Sequence, residues 1–406
     1  MNVLFLGNGF DINLKLPTSY INFLHTVEYI RMHKLTNFKT VGDIWGKQCI
    51  WESDLKIKSS YDLYKDVYDV TELPSGYIRD VGLLAENNVW FRYLVDSFNK
   101  DIGWIDFEQE ISNVIRCFRS TLDNSNGDTI ESKMESFSEE HFVVFSLNFF
   151  TNGGKDERHY VMRTSHSVRE EYLLEAPVGS GYKKINKEKI INDLYKSLQD
   201  LAKLLQQYLE VFVDGVVEKL IQKQSIAKMD YFSYAEQVIT LNYTHSFEKM
   251  YSSIPVIHLH GDTKSNIVLG VNADGYDDGE SVRTEYIAFK KYYQRIIYGT
   301  DIEYLAFIAK LLEENTRVSL TVMGHSLDVS DKDVIGELFS CSNDITIVYH
   351  NHEALGGYVA NLVKIFGKTG LDSLRYEKSL RFIPLENLDN YAVDYGCNIW
   401  DEALSV

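Results

Sequence analysis

The sequence predicts an α/β fold, a mostly parallel and helix-covered sheet interrupted after its first strand by a large helical insertion. Three observations carry this. Residues 2–6 form a compact apolar run cut off by Gly7-Asn8-Gly9, the strand and tight glycine turn with which doubly wound sheets open. Further short apolar runs resume only near residue 237 and alternate with helical patterns, as parallel strands and their crossover helices do. The long stretch between is dominated by helical periodicity.

Taken in order, 2–6 is the first strand, and Pro17-Thr18-Ser19 precedes a helix beginning at Tyr20, with Thr18 or Ser19 as its cap. Residues 86–120 and 189–229 read as helix. In the latter, Ile191, Leu194, Leu198, Leu201, Leu204 and Leu205 recur at three- and four-residue intervals, extended by Leu209 and Val213. That face suits a helical layer or a second subunit in a homo-oligomer. Residues 121–135, 150–160 and 176–186 read as loops. Strands follow at 237–243, 256–260, 267–271, 318–323 and 345–349, with helices at 286–297, 301–313 and 355–366. A nucleotide-binding α/β domain therefore takes 1–30 and 235–406, and a mainly helical insertion takes 31–234.

Composition narrows the function. The net charge of -18 disfavours nonspecific nucleic-acid binding, which draws its affinity from lysines and arginines. The surplus of Tyr (27) and Phe (21) over Pro (5) suits wide packing surfaces, long helices and a nucleobase pocket. Cys49, Cys117, Cys341 and Cys397 have no zinc-ribbon or disulfide spacing, so no structural zinc is expected and the thiols suit a reducing compartment. The opening apolar run is too short and uncharged for a signal peptide, and no stretch approaches a membrane span, which makes the cytoplasm the expected location.

Four segments could carry chemistry. Gly7, Asn8, Gly9 and Phe10 form the turn where backbone can approach a phosphate, although an ordinary tight turn uses the same glycines. Asp11 would repel a diphosphate but can accept from a ribose or orient a water; helix capping is its plainer role. Thr240 and Asn242 lie at a strand end, where open sheets build their sites, and Asn242 can hold a water or a sugar hydroxyl or merely tie down a loop. His245 could assist. In His258-Leu259-His260-Gly261-Asp262 the two histidines point the same way if extended, which suggests a metal with Asp262, or more simply a single proton-transfer group at His260. Gly324 permits close approach after the 318–323 strand, Ser326 can bond a ribose or phosphate, and Asp328 can cap the next helix.

The opening G-N-G-F-D-I-N-L-K-L-P-T-S-Y-I-N-F resembles the signature of the AbiH family of bacteriophage abortive-infection proteins. More distantly, it resembles the first nucleotide loop of SIR2-like (sirtuin-like) proteins. T-L-N-Y-T at 240–244, L-H-G at 259–261 and G-H-S-L-D at 324–328 resemble, in the same order, the later sirtuin NAD-binding segments. The resemblance implies a Rossmann-like sheet of SIR2-like type and NAD as ligand or substrate. It places Gly7 and Gly9 at the diphosphate, Asn242 beside the nicotinamide ribose, His260 as base and Ser326 near the adenosine ribose. Departures are Leu241 for glutamine, Thr244 for aspartate, and Asp11 for a small polar residue.

These departures argue against deacylation and less against cleavage of NAD by water. The resulting expectation is an abortive-infection effector that hydrolyses NAD to nicotinamide and ADP-ribose, held inactive until a phage-derived activator appears, with Asp11 stabilising oxocarbenium character. Two alternatives are a metal-dependent nuclease built on Asp11, His258, His260 and Asp262, and a non-catalytic nucleotide-sensing module.

Overall fold

The computed structural model describes residues 1–47, 55–98, 107–123, 150–152, 166–174, 185–271 and 284–388. Its pivot is strand β1 (Asn2–Leu6), whose side chains alternate between two faces: Val3 and Phe5 enter one core, Leu4 and Leu6 the other. A short antiparallel hairpin, β2 (Phe150–Asn152) and β3 (His166–Val168), lies outside the main sheet. The main sheet is completed by β4 (Gln237–Thr240), β5 (Val256–His258), β6 (Ser319–Met323), β7 (Asp344–Tyr349) and β8 (Arg381–Pro384).

These six strands run β5-β4-β1-β6-β7-β8, all neighbours parallel. Counted along the chain, the sheet order is 3-2-1-4-5-6, the Rossmann order, whose direction reverses between β1 and β6. Register sets Leu6 beside Thr240 and Met323, and Thr240 beside His258. The segments that follow these four residues therefore emerge together at one edge.

Each face of the sheet carries a helical layer. On the Val3/Phe5 side lie the helices Ile302–Glu313, Lys332–Cys341 and His352–Glu377, which bury Ile308, Leu338 and Leu362. On the Leu4/Leu6 side lie Tyr20–Met32 and the helices of the insertion, including Leu55–Tyr68, Tyr77–Asn87, Val89–Phe98, Phe107–Asp123 and Lys187–Leu209. The insertion is thus the second covering layer, sharing one core with β1 and β4. Residue 30 falls inside the helix Tyr20–Met32, so no change in packing marks the start of the insertion.

Ser19 caps that helix in a reciprocal box with Asn22. The apolar face of Lys187–Leu209 is spent within the chain, with Leu194 and Leu204 fully buried, which leaves that face nothing to offer a second subunit. The helix passes through a π-turn at Glu210–Asp214 before continuing as Gly215–Gln222.

Three sequence expectations change. Residues 267–271 are buried but not a strand: Gln294 bonds both Leu269 N (2.9 Å) and Leu269 O (3.0 Å), and Val268 N donates to His260 O (2.8 Å). A side chain satisfies the backbone that a neighbouring strand would otherwise pair. Strand β8 was not expected, because an Arg-Phe-Ile-Pro edge segment lacks the apolar run of a central strand. Residues 150–152 are strand where a loop was expected; most of 121–135 and 176–186 lies outside the described residues.

Candidate functional site at the strand carboxyl ends

At the switch point the turns after β1 and β6 interlock. Gly7 N donates to Met323 O (3.0 Å) and Gly9 N to Gly324 O (2.8 Å). A Cβ on Gly9 would lie 2.5 Å from the Gly324 Cα, and one on Gly324, at φ +70°, 2.4 Å from the Phe10 nitrogen. The glycines permit backbone to meet backbone, and two of the N–H groups that could have cradled phosphate are committed to carbonyls. Asn8 and Ser326 are exposed on either side of this lock.

The neighbouring strand end is tied to the same turn. Thr240 Oγ1 donates to Leu6 O (3.2 Å) and accepts from Asn242 N (3.0 Å), so Thr240 is a buried brace. Asn242 Nδ2 donates to Gly7 O (3.2 Å), while its Oδ1 makes no hydrogen bond among the described residues. Phe10 points into the core between Phe232 and Phe247 (ring centroids 5.9 and 5.6 Å) and lines no crevice.

Asp11 is fully buried and accepts from Thr244 Oγ1 (2.5 Å) and from Ser246 Oγ. Burial pushes its carboxyl up to about 6 against the lowering effect of those two hydroxyls. Two of the three positions that depart from the sirtuin pattern, Asp11 and Thr244, therefore meet each other. Both carboxylate oxygens are occupied by the chain, so Asp11 acts on the 242–246 loop rather than on a ligand.

His260 is buried, and its Nε2 is a buried nitrogen without a partner among the described residues. Burial, then the Lys291 ammonium, holds its imidazole well below the ordinary range, so the ring is a neutral base near pH 7. Lys291 is itself buried and bonds Glu108 Oε1 (2.6 Å) and Asp331 Oδ1 (2.9 Å). Asp331 Oδ2 faces His325 Nε2 (3.3 Å), and His325 Nδ1 accepts from Leu327 N (2.8 Å), which fixes the proton of His325 on Nε2. Burial pushes the Asp331 carboxyl up, but Lys291 and His325 outweigh it and hold it well below the usual carboxylate range.

A second polar cluster lies beyond Asn242. Asp214, delivered by the π-turn, accepts from His245 N (2.8 Å), from His245 Nδ1 (3.1 Å) and from Thr263 Oγ1. His258 Nδ1 donates to Asn242 O (2.8 Å), and its Nε2 lies 2.5 Å from Glu248 Oε1. Asp262 Oδ2 is 3.8 Å from His245 Nε2. Among the described residues Asp11, His258, His260 and Asp262 do not come together as one ligand set: the group close enough to share an ion is His245, Glu248 and His258. Beside this cluster opens a cleft of about 760 Å³, walled by Lys249 and Thr263 and, from the insertion, Thr71, Tyr77, Asp214 and Lys219.

Lys291, Glu108, Asp331, His325, Asp214 and Glu248 are the polar residues of this edge that sequence reading left out. Apart from His325, which stood inside a motif already singled out, each lies in a segment that carries no motif of its own.

Six parallel strands in this order, with polar side chains gathered at the carboxyl ends where the order reverses, define a Rossmann-like α/β protein. No helix among the described residues is long and apolar enough to cross a membrane. The chain matches the family model of bacteriophage abortive infection AbiH over residues 3–350, most of its length, and belongs to that family. No curated protein and no solved structure matches it significantly.

Proposed function

We propose that this abortive-infection protein binds NAD at the β1/β6 switch point and hydrolyses it to nicotinamide and ADP-ribose. The observation that carries the reading is His260: a buried, neutral imidazole with an unpartnered Nε2, near the strand end that presents Asn242 Oδ1. A buried polar atom left without a partner is costly unless something else satisfies it.

In this reading the bond between ribose C1′ and nicotinamide nitrogen breaks with its electron pair leaving on nicotinamide, which departs neutral. Water forms the new C1′–O bond, Asn242 Oδ1 accepts from that water, and its proton passes to His260 Nε2 and on to solvent. Burial, and after it the Lys291 ammonium, keeps His260 unprotonated between turnovers. Asp11 is a positioning residue that fixes the 242–246 loop through Thr244 and Ser246. Asn8 and Ser326, exposed beside the glycine lock, are the groups for the diphosphate and adenosine ribose. The resemblance to SIR2-like segments supports the same assignment.

The test is release of free nicotinamide from NAD by purified protein, alone and with phage components. His260→Ala breaks no side-chain hydrogen bond and should lower turnover about 10²–10⁴-fold while the protein stays folded. NAD bound without turnover, accompanied by a change in oligomer size, would favour a nucleotide sensor. No cleavage of NAD under conditions in which the protein protects cells would remove the proposal.

A further inference from the structure

The cluster beyond Asn242 contains two imidazoles whose protons are fixed by what they touch. His258 Nδ1 faces a carbonyl, Asn242 O at 2.8 Å, so it carries the hydrogen and leaves a lone pair on Nε2. That lone pair meets a carboxylate oxygen, Glu248 Oε1, at 2.5 Å. His245 repeats the arrangement. Its Nδ1 faces Asp214 Oδ2 at 3.1 Å, and its Nε2 faces Asp262 Oδ2 at 3.8 Å. Two acceptors thus confront two acceptors. The ring centroids are 5.1 Å apart, so one cation placed between them would meet both lone pairs and both carboxylates.

We propose that His245, Glu248 and His258, completed by Asp262, bind one divalent transition-metal ion of the zinc or cobalt class. One ligand atom from each of His245, Glu248 and His258 lies within 4.8 Å of the others. Tetrahedral coordination at ordinary bond lengths separates ligand atoms by about 3.3 Å, so small side-chain rotations bring them to an ion. Two imidazoles and two carboxylates suit such an ion better than calcium or magnesium, which prefer all-oxygen sets. The surroundings match what metal-bound histidines need: one ring N–H goes to a backbone carbonyl, the other to a buried carboxylate that Thr263 and Lys249 also engage. The 760 Å³ cleft is lined by Asp214 and Thr263, the two side chains that hold His245 Nδ1. Because His258 also bonds Asn242 O, the ion would brace the loop that carries Asn242.

The experiment titrates the full-length protein, stripped with EDTA and dialysed, with Zn²⁺ by calorimetry and with Co²⁺ by absorption. One ion per chain is expected, with visible ligand-field bands for Co²⁺. His245→Ala and Glu248→Gln should each weaken binding at least about tenfold, and Asp214→Asn, which touches no ion, about 10–100-fold. Glu248→Gln keeps a donor facing His258, so it tests the ligand set in a folded protein, as thermal melting verifies. Absence of saturable binding, or binding unchanged in Glu248→Gln and in a His245→Ala/His258→Ala double variant, overturns the site. These readouts do not involve NAD, so they fail or succeed apart from the proposed reaction.

Discussion

Replacing Asp11 with asparagine tests whether its carboxyl braces the candidate site at a cost in stability. In the folded chain it is fully buried and its pKa is raised from 3.8 to about 6, burial outweighing the bonds from Thr244 and Ser246. Below pH 3.8 both the folded and unfolded forms hold the proton. As pH rises toward 6 the unfolded chain releases it first, so stability falls through this window and the loss is complete above the folded pKa. A shift of about two units corresponds to about 3 kcal/mol. For 406 residues, with unfolding entropy of roughly 2 cal/mol/K per residue, that is about 3–4 °C in melting temperature. The asparagine amide can still bond both hydroxyls but does not titrate. The melting temperature of wild type minus that of Asp11→Asn, measured by scanning fluorimetry from about pH 4 to about pH 7, should therefore fall by that amount and then level off. A difference that stays flat, or that rises with pH as it would for a carboxylate held ionised by its hydroxyl partners, refutes the reasoning.

Gly9→Ala places a methyl 2.5 Å from the Gly324 Cα and should cost about 1–3 kcal/mol in urea unfolding. Gly336→Ala, in the helix Lys332–Cys341 with nothing within 4 Å of the added carbon, should stabilise by about 0.5–1 kcal/mol in the same assay. Lys291→Met strands Glu108 and Asp331 and should cost about 3–5 kcal/mol, partly recovered by adding Asp331→Asn; additive losses would show that the three do not act as a unit. Since His260 is held well below 6.5, the acid limb of kcat/KM for NAD cleavage, measured in the Asp11→Asn background, should fall below pH 6.5; a limb at or above that value would show an ordinary imidazole.

What the sequence discloses is what is local. Alternation in Asn2–Leu6, the Ser19 cap, the period of Lys187–Leu209 and the glycine turns are each readable within a few residues, and together they give an α/β sheet with a helical layer between its first two strands. What it hides is pairing at long range. Asp11 meets Thr244 and Ser246 across more than two hundred positions, and Glu108, Lys291 and Asp331 come from three elements, none of which carries a motif that marks them. Residues 267–271 mislead because an apolar extended run looks the same whether a strand or the side chain of Gln294 satisfies its backbone. Asn242 and His260 both come to the strand carboxyl ends, whereas Phe10 and Asp11, adjacent to the glycines in sequence, turn inward.

The position of β1 also governs how the chain must assemble during synthesis. β1 is a central strand that leaves the ribosome before both of its neighbours, β4 on one side and β6 on the other, each translated more than two hundred residues later. At about 5–20 residues per second, β6 follows β1 by roughly 15–60 s. Until β4 is made Asn2–Leu6 has two open hydrogen-bonding edges, and from then until β6 is made it has one, with a helical layer to cover only its Leu4/Leu6 side. A nascent chain stalled before residue 319 therefore presents an open edge on a hydrophobic strand, and the glycine lock closes only once both halves of the sheet exist.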